Sequence, residues 1–204
     1  MIQAAGPTNP ESEGIWSDSY TGAKGYPQAG SPLYGRDFFS LLSGVMQPLS
    51  VGSVHLRPGE PSPTRPAIDP RYLSARYDLA AVVEGSRFMR RVAGTQPLRS
   101  GVVAEAEPGL DLLGPDATDA QWEAWARQTM STIFHPAGSC AMLPRRDGGV
   151  VDPALRVYGT ANLRVVDASV MPLLVSGHIQ SAVYGIAERA AEIIIKDSGK
   201  KGNI

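Results

Sequence analysis

The stretch FHPAGSCAMLPRRDGGVVDPALRVYGTANLRVVDASVMPLLVSGHIQSAVYGIAERAAEIIIK, residues 134–196, decides how the rest of the chain is read. It carries two of the three histidines, His135 and His178, each beside glycine in a small-residue turn, HPAGS and SGHIQ. Between them NLRVVD, residues 162–167, is an apolar, β-branched run after a Tyr-Gly-Thr turn, and it predicts a strand buried in a sheet. Ala168, Ser169 and Pro172 end that run. From Gln180 onward Ala182, Val183, Ile186, Ala187, Ala190, Ile193 and Ile194 recur at three- and four-residue steps, predicting an amphipathic helix that runs to Lys196. A strand, a glycine turn bearing a histidine and then a helix present a polar side chain and a helix N-terminus to a molecule bound above them.

Imidazole is the side chain best suited to take or give a proton near neutral pH, and glycine lets backbone come close to a ligand. His135 and His178 either converge on one site or are unrelated, one a turn histidine and the other the neighbour of a helix cap. Asp167, at the C-terminal end of the predicted strand, stands where ligands bind in open sheets, or else caps the turn that follows. The start of the helix after His178 leaves free amides and the positive end of a helix dipole, suited to an anionic group. Cys140 has no basic neighbour nearer than Arg145 and Arg146, which argues against a nucleophilic thiol.

The 204 residues are 43% hydrophobic and 19% charged, enough to bury a core in one or two domains. With 19 basic and 20 acidic side chains there is no basic field to attract nucleic acid or an anionic membrane surface. One cysteine forms no internal disulfide, and three histidines without Cys-x-x-Cys or His-x-x-x-His spacing make no metal site. The opening MIQAAGPTNPESEG lacks the basic start and apolar core of a signal peptide, and no apolar run of about 18 residues occurs. With Met1 as the start this describes a soluble, unexported chain; localisation of a complete protein is left open between secreted and cytoplasmic.

Residues 1–36 are rich in Gly, Pro, Ser and aromatic residues without a period, and predict an irregular segment that packs through Trp16, Tyr20, Tyr26 and Tyr34. Residues 37–46 predict a short strand or helix, and residues 51–57 alternate as a half-exposed strand with His55 on its polar side. Five prolines between Pro58 and Pro70 make an extended connector. Ser74 opens a predicted scaffold helix to Ala93, and Thr118 opens another through a capping box with Gln121, its Trp122 and Trp125 reading as core. No internal repeat is present.

FHPAGSCAM (134–142), GGVVDPALRVYGTANLRVVDASVMP (148–172), SGHIQSAVYGIAERAAEII (176–194) and, more weakly, LSVGSVHLR (49–57) with AIDPRYLS (67–74) together resemble the C-terminal part of the glucose-methanol-choline (GMC) flavin oxidoreductases. The resemblance implies a mixed α+β and α/β fold: a substrate domain of antiparallel sheet plus helices, and the final strand and helix of an FAD-binding domain. Residues 1–43 would be an irregular part of the substrate domain, 44–147 its body, 148–196 the return into the FAD-binding domain and 197–204 a tail. The family's opening GxGxxG turn is not found in this sequence, so the chain corresponds to the C-terminal third of such an enzyme and would need a nucleotide-binding portion as partner.

By the same resemblance His135 falls on the catalytic histidine and His178 on its partner position, while Asp167, Ala168, Ile179 and Gln180 fall on segments that touch FAD. The implied activity is FAD-dependent oxidation of the CH–OH group of a small alcohol, with hydride passing to flavin N5 and a histidine as base. The alternatives on this scaffold are a non-redox lyase or cyclase, and a non-catalytic remnant or subunit that depends on a partner.

Overall fold

A computed structural model describes residues 12–23, 25–59 and 64–199. These divide into two units, one drawn from Met1–Gly52 and Pro70–Ile133, the other from Ser53–Asp69 and Phe134–Ile204.

In the first unit β1 (Ser12–Ser17) pairs antiparallel with β2 (Ser40–Val45), placing Ile15 opposite Leu42 and Trp16 opposite Leu41. β1 overturns the expectation of an irregular segment through residue 36. Its burial alternates with the period of a strand, but Glu13 and Ser17 take the shielded side while Trp16 faces outward, so the residue types conceal the period. Trp16 compensates by stacking on Phe39, ring centroids 4.7 Å apart. The 37–46 run resolves as strand. A helix, α1 (Arg76–Ala93), lies directly on this hairpin: a Cβ on Gly85 would meet Ser43 Oγ at 1.9 Å, and one on Gly14 would meet Met89 Cε at 2.5 Å.

The helix begins two residues later than Ser74, because Arg71 and Leu73 hold left-handed backbone conformations just upstream. Its start is capped from elsewhere in the chain. Ser50 Oγ accepts from the Ala75 amide at 3.0 Å, and the buried Asp78 carboxylate accepts from the amides of Leu49 and Ser50, both at 2.8 Å. The helix α2 (Asp119–Thr129) starts with the expected capping box: Thr118 Oγ1 accepts from the Gln121 amide, and Gln121 Oε1 from the Thr118 amide. Leu73, Leu79, Val83, Leu113, Trp122 and Ala126 form the core between the helices, with Trp125 edge-on to Trp122.

In the second unit β3 (Ser53–His55) and β4 (Ala67–Asp69) form a short antiparallel ribbon with Val54 opposite Ile68. Every β3 residue is exposed, so His55 is a surface histidine although the alternation expected over residues 51–57 shrinks to three residues. The last helix, α3 (Gln180–Asp197), packs Ile186 and Ala190 on a core of Val151, Leu155 and Val170.

Residues 162–167 do not form the expected strand. Their pairing is one bridge long, Arg156 opposite Arg164, with the Val157 amide donating to Leu163 O and the Val165 amide to Leu155 O. Left-handed Leu155 and Asn162 turn the chain away from the ladder on either strand of this pair, while Val165 still packs against the core, which is why the composition looks like buried strand. No helix among the described residues is long and apolar enough to cross a membrane.

Candidate functional site

The segment that carries His135 is irregular, and its backbone amides are spent on carbonyls of a distant turn. The Gly138, Cys140 and Met142 amides donate to the carbonyls of Ala168, Ser169 and Val170, at 3.4, 2.9 and 2.9 Å. Those three residues form a 3-10 turn whose own start is capped by Asp167: its Oδ1 accepts from the Ser169 amide at 2.8 Å and, in a short bond, from the Ser169 hydroxyl. Gly138 sits at φ 85°, a left-handed turn that favours glycine, and Met171 O stands 3.3 Å from where a Cβ would be, a tight contact that adds to the preference.

The other side of the segment is held by residues 149–151. The Val150 amide donates to Ala141 O at 2.9 Å, the Gly149 amide to Pro144 O at 3.2 Å, and the Tyr158 hydroxyl to Leu143 O at 3.2 Å. Gly149 lies so close that a Cβ there would stand 1.8 Å from Leu143 O. Thus the FHPAGSCAM run is clasped between two loops, and His135 projects from its beginning.

His178 arrives from the opposite end of the chain segment. The Gly177 amide donates to Val175 O at 2.9 Å, Ile179 buries its side chain, and the Val183 amide donating to Ile179 O begins α3. The two histidines, 43 residues apart, meet: His135 Nε2 lies 2.6 Å from His178 Nδ1, with ring planes at 86°. One nitrogen donates and the other accepts, so the pair shares a single proton along that line. Of the two alternatives left open by the sequence, convergence is the one found.

The other expected site residues take different places. Asp167 caps its turn, as the second of its two readings had it. Ala168 offers its carbonyl to Gly138, Ile179 is buried at 8% exposure, and Gln180 is the exposed first residue of α3. By helix geometry the amides of the first turn of α3 have no acceptor within the helix. Cys140 is a half-buried free thiol whose amide belongs to the clasp. Sequence reasoning missed Gly149, whose need for glycine arises only from its contact with Leu143, and Phe134, whose left-handed backbone (φ 62°) next to His135 leaves its ring 82% exposed.

A family model described as GMC oxidoreductase matches residues 48–187. Among curated proteins, the glucose oxidase-like protein fsoC of Humicola fuscoatra is 44% identical over 162 residues, covering 79% of this chain and 27% of that protein. Among solved structures, a fungal aryl-alcohol oxidase superposes with a TM-score of 0.69 at 35% identity, covering 78% of this chain and 26% of that one. An FAD-dependent oxidoreductase from Chaetomium thermophilum gives 0.69 at 30% identity, covering 81% of this chain and 27% of that one. The chain therefore spans about a quarter of the length of the proteins it matches.

Proposed function

The chain belongs to the GMC oxidoreductase family, and from that membership we propose that it carries the proton-handling residues of an FAD-dependent alcohol oxidoreductase, with His135 as base and His178 as its hydrogen-bonding partner. The observation that carries this reading is the 2.6 Å contact between His135 Nε2 and His178 Nδ1. Two imidazoles that face each other across one shared proton form a ready acceptor and donor for a hydroxyl group.

Oxidising a CH–OH group to a carbonyl removes a proton from oxygen and a hydride from carbon. When bound, FAD supplies the two-electron acceptor for the hydride. Asp167, Ala168, Ile179 and Gln180 are the residues proposed to hold it. The helix start suits the group: by helix geometry the first-turn amides of α3 have no acceptor within the helix, and such N–H groups match the electron-rich heteroatoms of a flavin. In this assignment residues 44–147 belong to the substrate domain and 148–196 to the FAD-binding domain, whose remainder lies outside this chain.

The histidines act on the substrate hydroxyl. A hydroxyl oxygen that accepts from one imidazole and donates to the other, at ordinary distances near 2.8 Å and a tetrahedral angle, needs nitrogens roughly 4.6 Å apart. Hence the pair must open by about 2 Å to admit an alcohol, replacing its own hydrogen bond by two to the substrate. His178 then orients the hydroxyl while His135 Nε2 removes its proton.

The test is anaerobic flavin reduction by a panel of primary alcohols and aldoses in the flavin-loaded protein. His135→Ala should slow reduction by about 10²–10⁴-fold with the flavin absorbance spectrum unchanged, the range general-base catalysis supplies. His135→Ala protein that reduces its flavin at the wild-type rate would overturn the assignment.

A further inference from the structure

Asp147 is the only aspartate in the sequence that is followed by glycine, and no asparagine is. In such a step the amide nitrogen of the glycine can close a five-membered ring on the aspartate side chain, because glycine has no Cβ to hinder the approach. A folded chain permits this where the carboxylate is not already engaged and the amide can leave its acceptor. Several aspartates here do not meet the first condition. Asp78 accepts from the amides of Leu49 and Ser50, Asp152 from those of Ala154 and Arg156, Asp167 from that of Ser169, and Asp119 from the Arg87 guanidinium.

Asp147 differs on both counts. Its side chain is 55% exposed, and among the described residues its ion contact is with the equally solvated Arg146 at 3.7 Å, beyond hydrogen-bonding distance. The Gly148 amide donates to Arg145 O at 3.3 Å, a long bond in a 3-10 turn of three residues, Arg145–Asp147. Gly148 itself sits at φ 85°, and a Cβ there would meet nothing within 4 Å, so the backbone has room to turn.

We infer that Asp147–Gly148 is a site of isoaspartate formation, and that the clasp around the FHPAGSCAM run loosens when the modification occurs. The Gly148 nitrogen bonds to Asp147 Cγ and one water leaves, giving a succinimide. Water then adds back at either ring carbonyl. Addition at the main-chain carbonyl leaves a carboxylate on Cα and routes the backbone through Cβ and Cγ. No oxidant, cofactor or second protein takes part, and the product carries the same charge as the aspartate it replaces.

The position gives the change its consequence. The turn runs between two fixed ends: the Asp147 and Gly149 amides both donate to Pro144 O, at 2.9 and 3.2 Å, and Gly149 lies against Leu143 so closely that a Cβ would stand 1.8 Å from Leu143 O. The added methylene lengthens the backbone between those two amides by about 1.5 Å. Both bonds to Pro144 O cannot then be kept, and the Gly149 side of the clasp gives way. The inference stands on the turn and the clasp alone, whatever the histidines do.

The test ages the 204-residue chain at physiological temperature and neutral pH, folded and, as reference, in urea. Isoaspartate is labelled by an isoaspartyl methyltransferase with S-adenosylmethionine and located by electron-transfer mass spectrometry of the tryptic peptide 147–156. Label should accumulate in that peptide from the folded wild type. It should be lost in Asp147→Glu, whose longer side chain closes a ring far more slowly, and appear sooner in Asp147→Asn. Converted wild type should melt about 2–4 °C lower than fresh protein, the shift of one lost hydrogen bond in a chain of this length, while aged Asp147→Glu melts as it did when fresh. The inference is overturned if label appears in the urea-treated chain but not in the folded one. It is overturned equally if label collects at other aspartates of the folded chain as fast as at Asp147, or if converted wild type melts where fresh wild type does.

Discussion

Replacing Gly149 by alanine tests whether the clasp around the FHPAGSCAM run is what holds the site together. The added methyl would stand 1.8 Å from Leu143 O, 2.5 Å from its carbonyl carbon and 3.0 Å from its Cα, all backbone atoms that no rotamer change can move. Ordinary contact needs about 3.4 Å, so residues 149–151 and 141–144 must part by well over 1 Å. That separation breaks the bonds from Gly149 to Pro144, from Val150 to Ala141 and from the Tyr158 hydroxyl to Leu143. At about 1 kcal/mol each the loss is roughly 3 kcal/mol. For a cooperative unit of this chain's length that lowers the melting temperature by about 6–12 °C, and by more where the second unit melts by itself. The assay is a thermal melt followed by far-ultraviolet circular dichroism, with Gly148→Ala as comparison. Gly148 sits at φ 85° in open space, so its alanine should cost only about 1 kcal/mol of left-handed strain. A Gly149→Ala protein that melts within about 2 °C of wild type would show that the contact yields cheaply and that the clasp is not the scaffold of the site.

Asp78→Asn keeps the shape of a buried side chain but can accept through one oxygen only, turning an NH₂ toward one of the amides of Leu49 and Ser50; urea denaturation should show a loss of about 2 kcal/mol, and an unchanged midpoint would refute the bidentate clamp. Thr118→Ala removes the capping hydroxyl of α2 and should cost about 1 kcal/mol, recovered by Thr118→Ser. The Tyr20 phenol is pushed up to about 12, first by burial and then by its hydrogen bond and charge contact with Glu107. Because its folded value lies above the unfolded value, the stability it contributes is complete below about pH 10 and disappears as pH rises through about 12. Ultraviolet titration should show a late-ionising component from Tyr20 that is lost in Tyr20→Phe.

Elements whose signal is local were legible in the sequence. The capping box at Thr118 and the apolar period of α3 need no knowledge of the rest of the fold, and both are found where their residues put them. Elements whose stability comes from elsewhere were not. The start of α1 is set by Ser50 and Asp78 acting across residues 49–78, and β1 presents Trp16 to solvent because Phe39 is there to stack on. Residues 162–167 show the converse error. Their composition reports burial truthfully through Val165, but burial does not specify a ladder, and left-handed Leu155 and Asn162 end the pairing after one bridge.

The same distinction explains why spacing alone left the convergence of His135 and His178 open, and why it was the family resemblance that paired them. Regular structure brings residues together at spacings that a period reveals, whereas His135 and His178 are joined through irregular backbone, with no repeat to count. What holds the two segments is a set of loop contacts: Asp167 shapes the turn, the carbonyls of that turn hold residues 138–142, and the buried Ile179 side chain anchors the segment after His178. Asp167 therefore matters to the site even if it never touches a ligand. Its carboxylate orients the Ala168–Val170 carbonyls that carry the His135 segment, so the capping and functional readings of this residue are not rivals. A site assembled this way depends on a few loop-to-loop hydrogen bonds and not on regular secondary structure.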